Sequence, residues 1–272
     1  VTAVFAALIP IALLPAAANA GNIHDAVRSR DVQRIDELLA QSPGLITSRD
    51  DSQRLPLHWA ALGGDVAIIE KVFESSLLSE GDFAGFQPLH LAAMGQLEAT
   101  KWLIQQGADV GARSKEGLRP LDWAARAGTP DIIRYLVQSG ASLDAKTILG
   151  AALANAATAE RVENARALIE LGADVDGEAA VTPLSFASAK GNTELVSLLL
   201  RHRADPNRRL SKGRTALHVA AINGRRAVVE LLLEAGADRS IRDSAGRRAL
   251  DEALERGHAD IVAMLEGAEQ KQ

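Results

Sequence analysis

Eight positions recur along the chain at nearly one interval: Asn22, Pro56, Pro88, Pro120, Ala152, Pro183, Ala216 and Ala249. The spacings between them are 34, 32, 32, 32, 31, 33 and 33 residues. Unrelated loops do not hold a period over eight copies, so the chain is built from one small unit used repeatedly. Gly213 to Asp238 shows the unit most fully. Leu217, Ala220 and Ala221 recur at offsets of three and four, which is one face of a helix. Thr215 stands where its hydroxyl can cap that helix, and Gly224 supplies a left-handed turn to end it. Val228, Val229, Leu231, Leu232 and Leu233 form the stripe of a second helix, which Gly236 closes.

Composition agrees with closely stacked helices. Apolar residues make up 47% of the 272 residues but aromatic ones only 3%, so alanine and leucine fill the interior. There is no cysteine, which removes disulfides and thiolate chemistry. A net charge of −5 gives no reason to expect nucleic-acid binding by the whole chain. Val1 to Ala18 carries no charged side chain, and Ala18-Asn19-Ala20 fits a small-residue cleavage site before Gly21. Pro10 and Pro15 interrupt this run, and it is short for a membrane span. Residues 1–20 are therefore expected to be a cleavable signal peptide, leaving no stable membrane anchor after cleavage.

The repeats carry specific motifs. Leu55-Pro56-Leu57-His58-Trp59-Ala60-Ala61, Gln87-Pro88-Leu89-His90-Leu91-Ala92-Ala93 and Thr215-Ala216-Leu217-His218-Val219-Ala220-Ala221 repeat one first-helix signature. Gly107-Ala108-Asp109, Gly172-Ala173-Asp174 and Gly236-Ala237-Asp238 repeat one closing turn. On these motifs the chain resembles the ankyrin-repeat family, over about Gly21 to Glu266. The resemblance implies an all-α ankyrin-repeat solenoid of about eight stacked helix–turn–helix units with projecting loops. The array is expected over 21–266, with an N-terminal cap at about 21–50 and a C-terminal cap at about 243–266; residues 267–272 are expected to form a flexible tail. Polar substitution should mark the caps, as where Glu266 replaces Leu200 or Leu233 of inner units. One residue is missing around Met94-Gly95, which should distort the turn of the third unit. The fifth unit has Glu160 for the turn glycine and short flanking loops, so a weak joint is expected there.

The resemblance also implies what the histidines do. His24, His58, His90 and His218 hold the motif position, where the family uses histidine to hydrogen-bond neighbouring turns. Units stack about 10 Å apart, too far for two such side chains to share a metal bound at about 2 Å. No nucleophile elbow, phosphate loop or metalloprotease motif is present. No enzyme activity, cofactor or metal is expected.

Recognition is the function the resemblance implies, through the loop tips and first-helix ends of a concave surface. Carried onto this chain, these are Phe83 and Phe86 before the third unit, and Lys115, Glu116 and Leu118 before the fourth. First-helix ends add Met94, Arg126, Ile222 and Asn223, with Leu62 beside them. The two phenylalanines either face a partner or tuck against their neighbours. Trp59 and Trp123 are expected in the core. Residues 200–248 hold 12 Lys or Arg against 5 Asp or Glu, a net of +7. This segment, with Lys212 and Arg214, offers a second reading as a site for an acidic partner or an anionic envelope polymer. The expectation is a non-enzymatic interaction scaffold or protective partner, periplasmic or secreted in a bacterium, that binds an unidentified protein and not nucleic acid.

Overall fold

In a computed structural model, residues 22–143, 152–177 and 181–267 are described. The signal-like segment, residues 144–151 and 178–180 in the loops flanking the fifth unit, and the last five residues lie outside them. The described residues form sixteen α-helices and no strand. Taken in chain order they pair as α1 (Ile23–Ser29) with α2 (Val32–Gln41), α3 (Pro56–Gly63) with α4 (Val66–Lys71), and α5 (Pro88–Ala92) with α6 (Leu97–Gln105). There follow α7 (Pro120–Ala127) with α8 (Pro130–Gln138), α9 (Ala152–Thr158) with α10 (Val162–Glu170), and α11 (Pro183–Lys190) with α12 (Thr193–Arg201). The last pairs are α13 (Ala216–Ile222) with α14 (Arg226–Glu234), and α15 (Ala249–Arg256) with α16 (Ala259–Glu266). Seven of the eight periodic positions open a first helix, and Asn22 caps the eighth. Each first helix packs on the next first helix and each second helix on the next second helix. Alanine makes that approach possible: Ala61, Ala93, Ala125, Ala157 and Ala221 are all fully buried.

Local chemistry explains where the helices begin and turn. Asp31, Asp65, Thr129 and Asn192 cap second helices by accepting from backbone N–H groups that lack an intrahelical partner. Gly64, Gly191, Gly224 and Gly257 end first helices in the left-handed conformation, as the pattern requires. Arg30 and Glu160 adopt it too, at φ 57° and 58°, although a Cβ makes it unfavourable. The deletion in the third unit cuts α5 to five residues, and Gly95 no longer takes a positive φ. Thr215 departs from its expected role. Its backbone N–H donates to His218 Nδ1 at 3.2 Å, and its hydroxyl lies 3.0 Å from the same nitrogen instead of capping the helix.

The helices of the fifth unit are closely packed despite their alanine-rich composition. Leu153, Ala156, Ala157 and Leu168 are fully buried and belong to one core running from Ala93 to Leu265. Asn164 fastens the fifth unit further, its amide donating to Ala124 O, Ala125 O and Gly128 O at 3.1–3.2 Å. The division of the core runs through the third unit, whose Ala93 packs with the fourth unit while Leu89, Ala92, Ala99 and Leu103 pack toward the N-terminus. A separate cluster runs from Ile23 to Ala108, and among the described residues only Ile104 and Val110 pack against both. The shortened α5 offers the fourth unit less surface to pack on. The C-terminal cap is not polar throughout: Leu254 is 55% exposed, at the position where inner units bury an alanine or, in the sixth, Ser188.

Candidate partner-binding surface

The histidines are framework. In α3, α5 and α13 the ring Nδ1 accepts from the backbone N–H of Leu55, Gln87 and Thr215, each at 3.2 Å. That assignment leaves the proton on Nε2, which donates to Phe86 O at 2.8 Å from His58 and to Leu118 O at 3.1 Å from His90. His218 reaches Arg247 O at 3.1 Å, and His24 reaches Arg54 O at 3.0 Å. Each ring thus ties its own helix start to the next projecting loop. Burial lowers His58 and His90 from 6.5 to about 4 and lowers His218 as well, so all three are neutral near pH 7. The fourth unit does the same work with two residues. Asp122 accepts from the Arg119 N–H at 2.9 Å, and the Arg119 guanidinium donates to Ser142 O. Among the described residues no three metal-ligating side chains converge, and no helix is long and apolar enough to cross a membrane.

The projecting loops are tight fingers. In three of them an aspartate accepts from backbone N–H groups of its own turn: Asp50 from Ser52 and Arg54, Asp82 from Ala84 and Phe86, and Asp243 from Ala245 and Arg247. Neighbouring fingers are linked by single backbone bonds, Phe83 N to Ser52 O at 2.9 Å and Lys115 N to Ala84 O at 3.0 Å. Gly85 is required at this second link. Its φ is 78°, and a Cβ there would sit 2.9 Å from the Lys115 nitrogen. Ser244 N and Lys212 O make the same kind of link at 2.8 Å between later fingers.

The expected contact residues fall into two groups. In the third and fourth units Phe83 is 72% exposed, with the Lys115 ammonium 5.0 Å from its ring centre. Phe86 and Leu118 are corrections, being 6% and 1% exposed. They join Leu91 and Trp123 in a third apolar cluster, where Phe86 meets Trp123 edge-on at 5.2 Å. The backbone of each finger turns these side chains inward while Phe83 points out. Met94 and Leu62 lie half-buried on that cluster, and the Arg126 guanidinium stands 5.9 Å from the Trp123 ring. Glu116 is half-buried.

The second group lies in the seventh unit. Lys212 and Asn223 are exposed and Ile222 is half-buried. Arg214 is the other correction, because its charge is already met. It pairs with Glu252 at 2.7 Å and faces Asp243 at 3.6 Å, and Arg247 joins both acids. Glu252 is fully buried, so this cluster ties the last two units together. Arg208 and Arg209 donate to Gly177 O and Arg242 O, which engages part of the basic segment with backbone.

One feature was not legible beforehand. The Trp123 indole N–H is buried with no hydrogen-bond partner, although the residue is only 4% exposed. Its place one residue after the motif Asp marks it as core, but nothing in the sequence marks the unmet donor. Trp59 differs: its Nε1 donates to Asp50 at 2.8 Å, and Arg28 and Arg54 lie 5.0 and 4.9 Å from its ring.

Stacked helix pairs joined by linked fingers, with the polar motif residues engaged in framework, define a helical repeat scaffold. A family model for ankyrin repeats matches residues 23–114, 89–179, 153–243 and 184–272, and the chain belongs to the ankyrin-repeat family. It is 29% identical over 140 residues to the palmitoyltransferase Hip14 of Drosophila melanogaster, a match covering 52% of this chain and 17% of that protein. It is 26% identical over 189 residues to the probable 26S proteasome regulatory subunit p28 of Saccharomyces cerevisiae, covering 65% and 83% respectively. The crystal structure of the human ASB11 ankyrin repeat domain superposes with a TM-score of 0.71 at 27% identity, covering 79% of this chain and 98% of that one. The fold is that of a protein–protein interaction scaffold, typically without enzyme activity of its own.

Proposed function

We propose that this chain is a non-enzymatic scaffold or protective partner that binds another protein through its finger tips and first-helix ends, the concave side of the array. The observation that carries this reading is the division of labour among side chains. The motif histidines, Asp122 and the finger aspartates are engaged in structure, while Phe83, which the repeat does not require, is held out on a braced finger. A rigidly presented exposed aromatic is the type of anchor that dominates binding energy at protein interfaces. The signal-like residues 1–20 support a periplasmic or secreted setting, tested by fractionating cells that express the full chain. The second reading, an anion- or polymer-binding module at residues 201–214, is weakened by the pairing of Arg214 but retains Arg201, Arg203 and Lys212, all exposed.

Affinity capture with the wild-type array, beside Phe83→Ala and Lys212→Glu variants, separates the two readings. A partner lost only with Phe83→Ala supports the scaffold reading. Material lost only with Lys212→Glu, and released by salt, supports the second.

A further inference from the structure

We propose that the outer face of the eighth unit is a self-association site, on which a second copy of this chain packs the same face across a two-fold axis. This goes beyond the scaffold reading and does not depend on it.

The stacking of the units shows which side chains face the next unit. In inner units Ile69, Ile133, Val196 and Val229 are fully buried at one position of the second helix, and Ala61, Ala93, Ala125, Ala157 and Ala221 at one position of the first. The eighth unit carries Val262 and Leu254 at these two positions. Val262 is only half-buried and Leu254 is 55% exposed. Ile261, one residue before Val262, is fully buried, so it is the side turned away from the array that is bare. A second helix pair of the same kind would take this apolar surface out of water, as happens at each joint inside the array.

The opposite end of the array does not fit this face. In the first unit exposed Asn22 stands where Pro56, Pro88 and Pro120 are buried. Arg34 stands where Ile68, Ile132, Leu195 and Val228 are buried. The Arg34 guanidinium pairs with Glu37 at 3.1 Å, and the Gln33 amide donates to the same carboxylate at 3.1 Å. A head-to-tail contact would set Leu254 and Val262 against this charged face. Residues 268–272, Ala-Glu-Gln-Lys-Gln, offer one small apolar side chain as cover. The matching surface is the same face on another copy.

That face complements itself. Leu254 borders a groove of about 300 Å³ lined by Gly257, Ala259, Val262 and Ala263, with Glu266 at its edge. These small side chains leave room for a leucine, and a two-fold axis between Leu254 and the groove sets each copy's Leu254 into the other's groove. A single helix-pair face lies at the small end of protein interfaces, so the dimer forms reversibly as concentration rises. Glu266, where inner units carry Leu200 or Leu233, places an acid from each copy at the contact and opposes it. Two arrays joined in this way present two sets of finger tips, which strengthens capture of a partner that carries two sites.

Sedimentation velocity of the full chain at rising concentration, up to about 1 mM, tests this. The wild type should show a monomer–dimer equilibrium that stops at two copies. Leu254→Glu should be monomeric throughout, and Leu254→Ala should dimerise about tenfold or more weakly. Glu266→Leu should dimerise about fivefold or more tightly. Because Leu254 is exposed, thermal unfolding of dilute Leu254→Glu should match the wild type within a few degrees. A wild type that stays monomeric, a dimer that survives Leu254→Glu, or growth past two copies, as head-to-tail stacking gives, would overturn the proposal. Each of these results leaves the scaffold reading standing, since no partner enters the measurement.

Discussion

Mild acid should weaken this array through His58 and His90. Each ring is neutral in the fold and donates its Nε2 proton to the next finger, and burial lowers each from 6.5 to about 4. The unfolded chain takes up protons near the ordinary value of 6.5, whereas the folded chain resists until about 4. Stability is therefore complete above pH 7, falls as pH drops through 6.5, and stops falling from this cause near 4. At about 1.4 kcal/mol per pH unit, each histidine removes about 3 kcal/mol over that window. Two such losses are comparable to the ~5–15 kcal/mol total stability of a typical domain. His218 acts in the same direction. Asp122, raised by burial, acts in the opposite one, so the test compares variants and not a single curve. Urea unfolding followed by circular dichroism at pH 8, 7, 6, 5 and 4 should show a steep loss in the wild type. A His58→Gln, His90→Gln double variant should be less stable at pH 8 but much flatter below 6.5. Equal slopes in the two proteins would refute the assignment of buried neutral rings.

Further outcomes follow from other contacts. Gly128→Ala should cost about 1–3 kcal/mol, because its Cβ would lie 2.5 Å from Ala93 O, whereas Gly95→Ala meets open space and should stay within about 0.5 kcal/mol; thermal melts decide both. Glu160→Gly should raise stability by about 0.5–1 kcal/mol, since it relieves a positive φ at an exposed residue, and an unchanged or lower melting temperature would contradict this. Arg214→Ala should cost about 2 kcal/mol by leaving buried Glu252 with Arg247 alone, measured by urea unfolding.

Much of the architecture was legible because the repeat is a physical unit. A helix start, a stacking alanine and a left-handed turn each demand a residue type at a fixed interval, and seven of eight periodic positions open helices where the period placed them. Packing between units was less legible. The alanines of the fifth unit read as weakness, yet small side chains are what allow close stacking, and Asn164 reaches back to three carbonyls from far along the chain. The missing residue at Met94-Gly95 was visible, but not that the core would divide there. Within the candidate surface, Phe83 and Phe86 are three residues apart with the same chemistry, and only the turn made by Asp82 decides that one faces out and the other in. Arg214 read as a free cation because Glu252, 38 residues away, gave no local sign that it would be buried beside it.

The most direct test of the account measures binding and folding together. The central claim is that recognition depends on side chains the repeat does not require, on the finger face of the third and fourth units. Titration calorimetry with the captured partner, run beside thermal melts, should show Phe83→Ala and Lys115→Glu losing about tenfold or more in affinity with melting temperatures nearly unchanged. Full affinity in both variants, or affinity that falls only in step with stability, would contradict it.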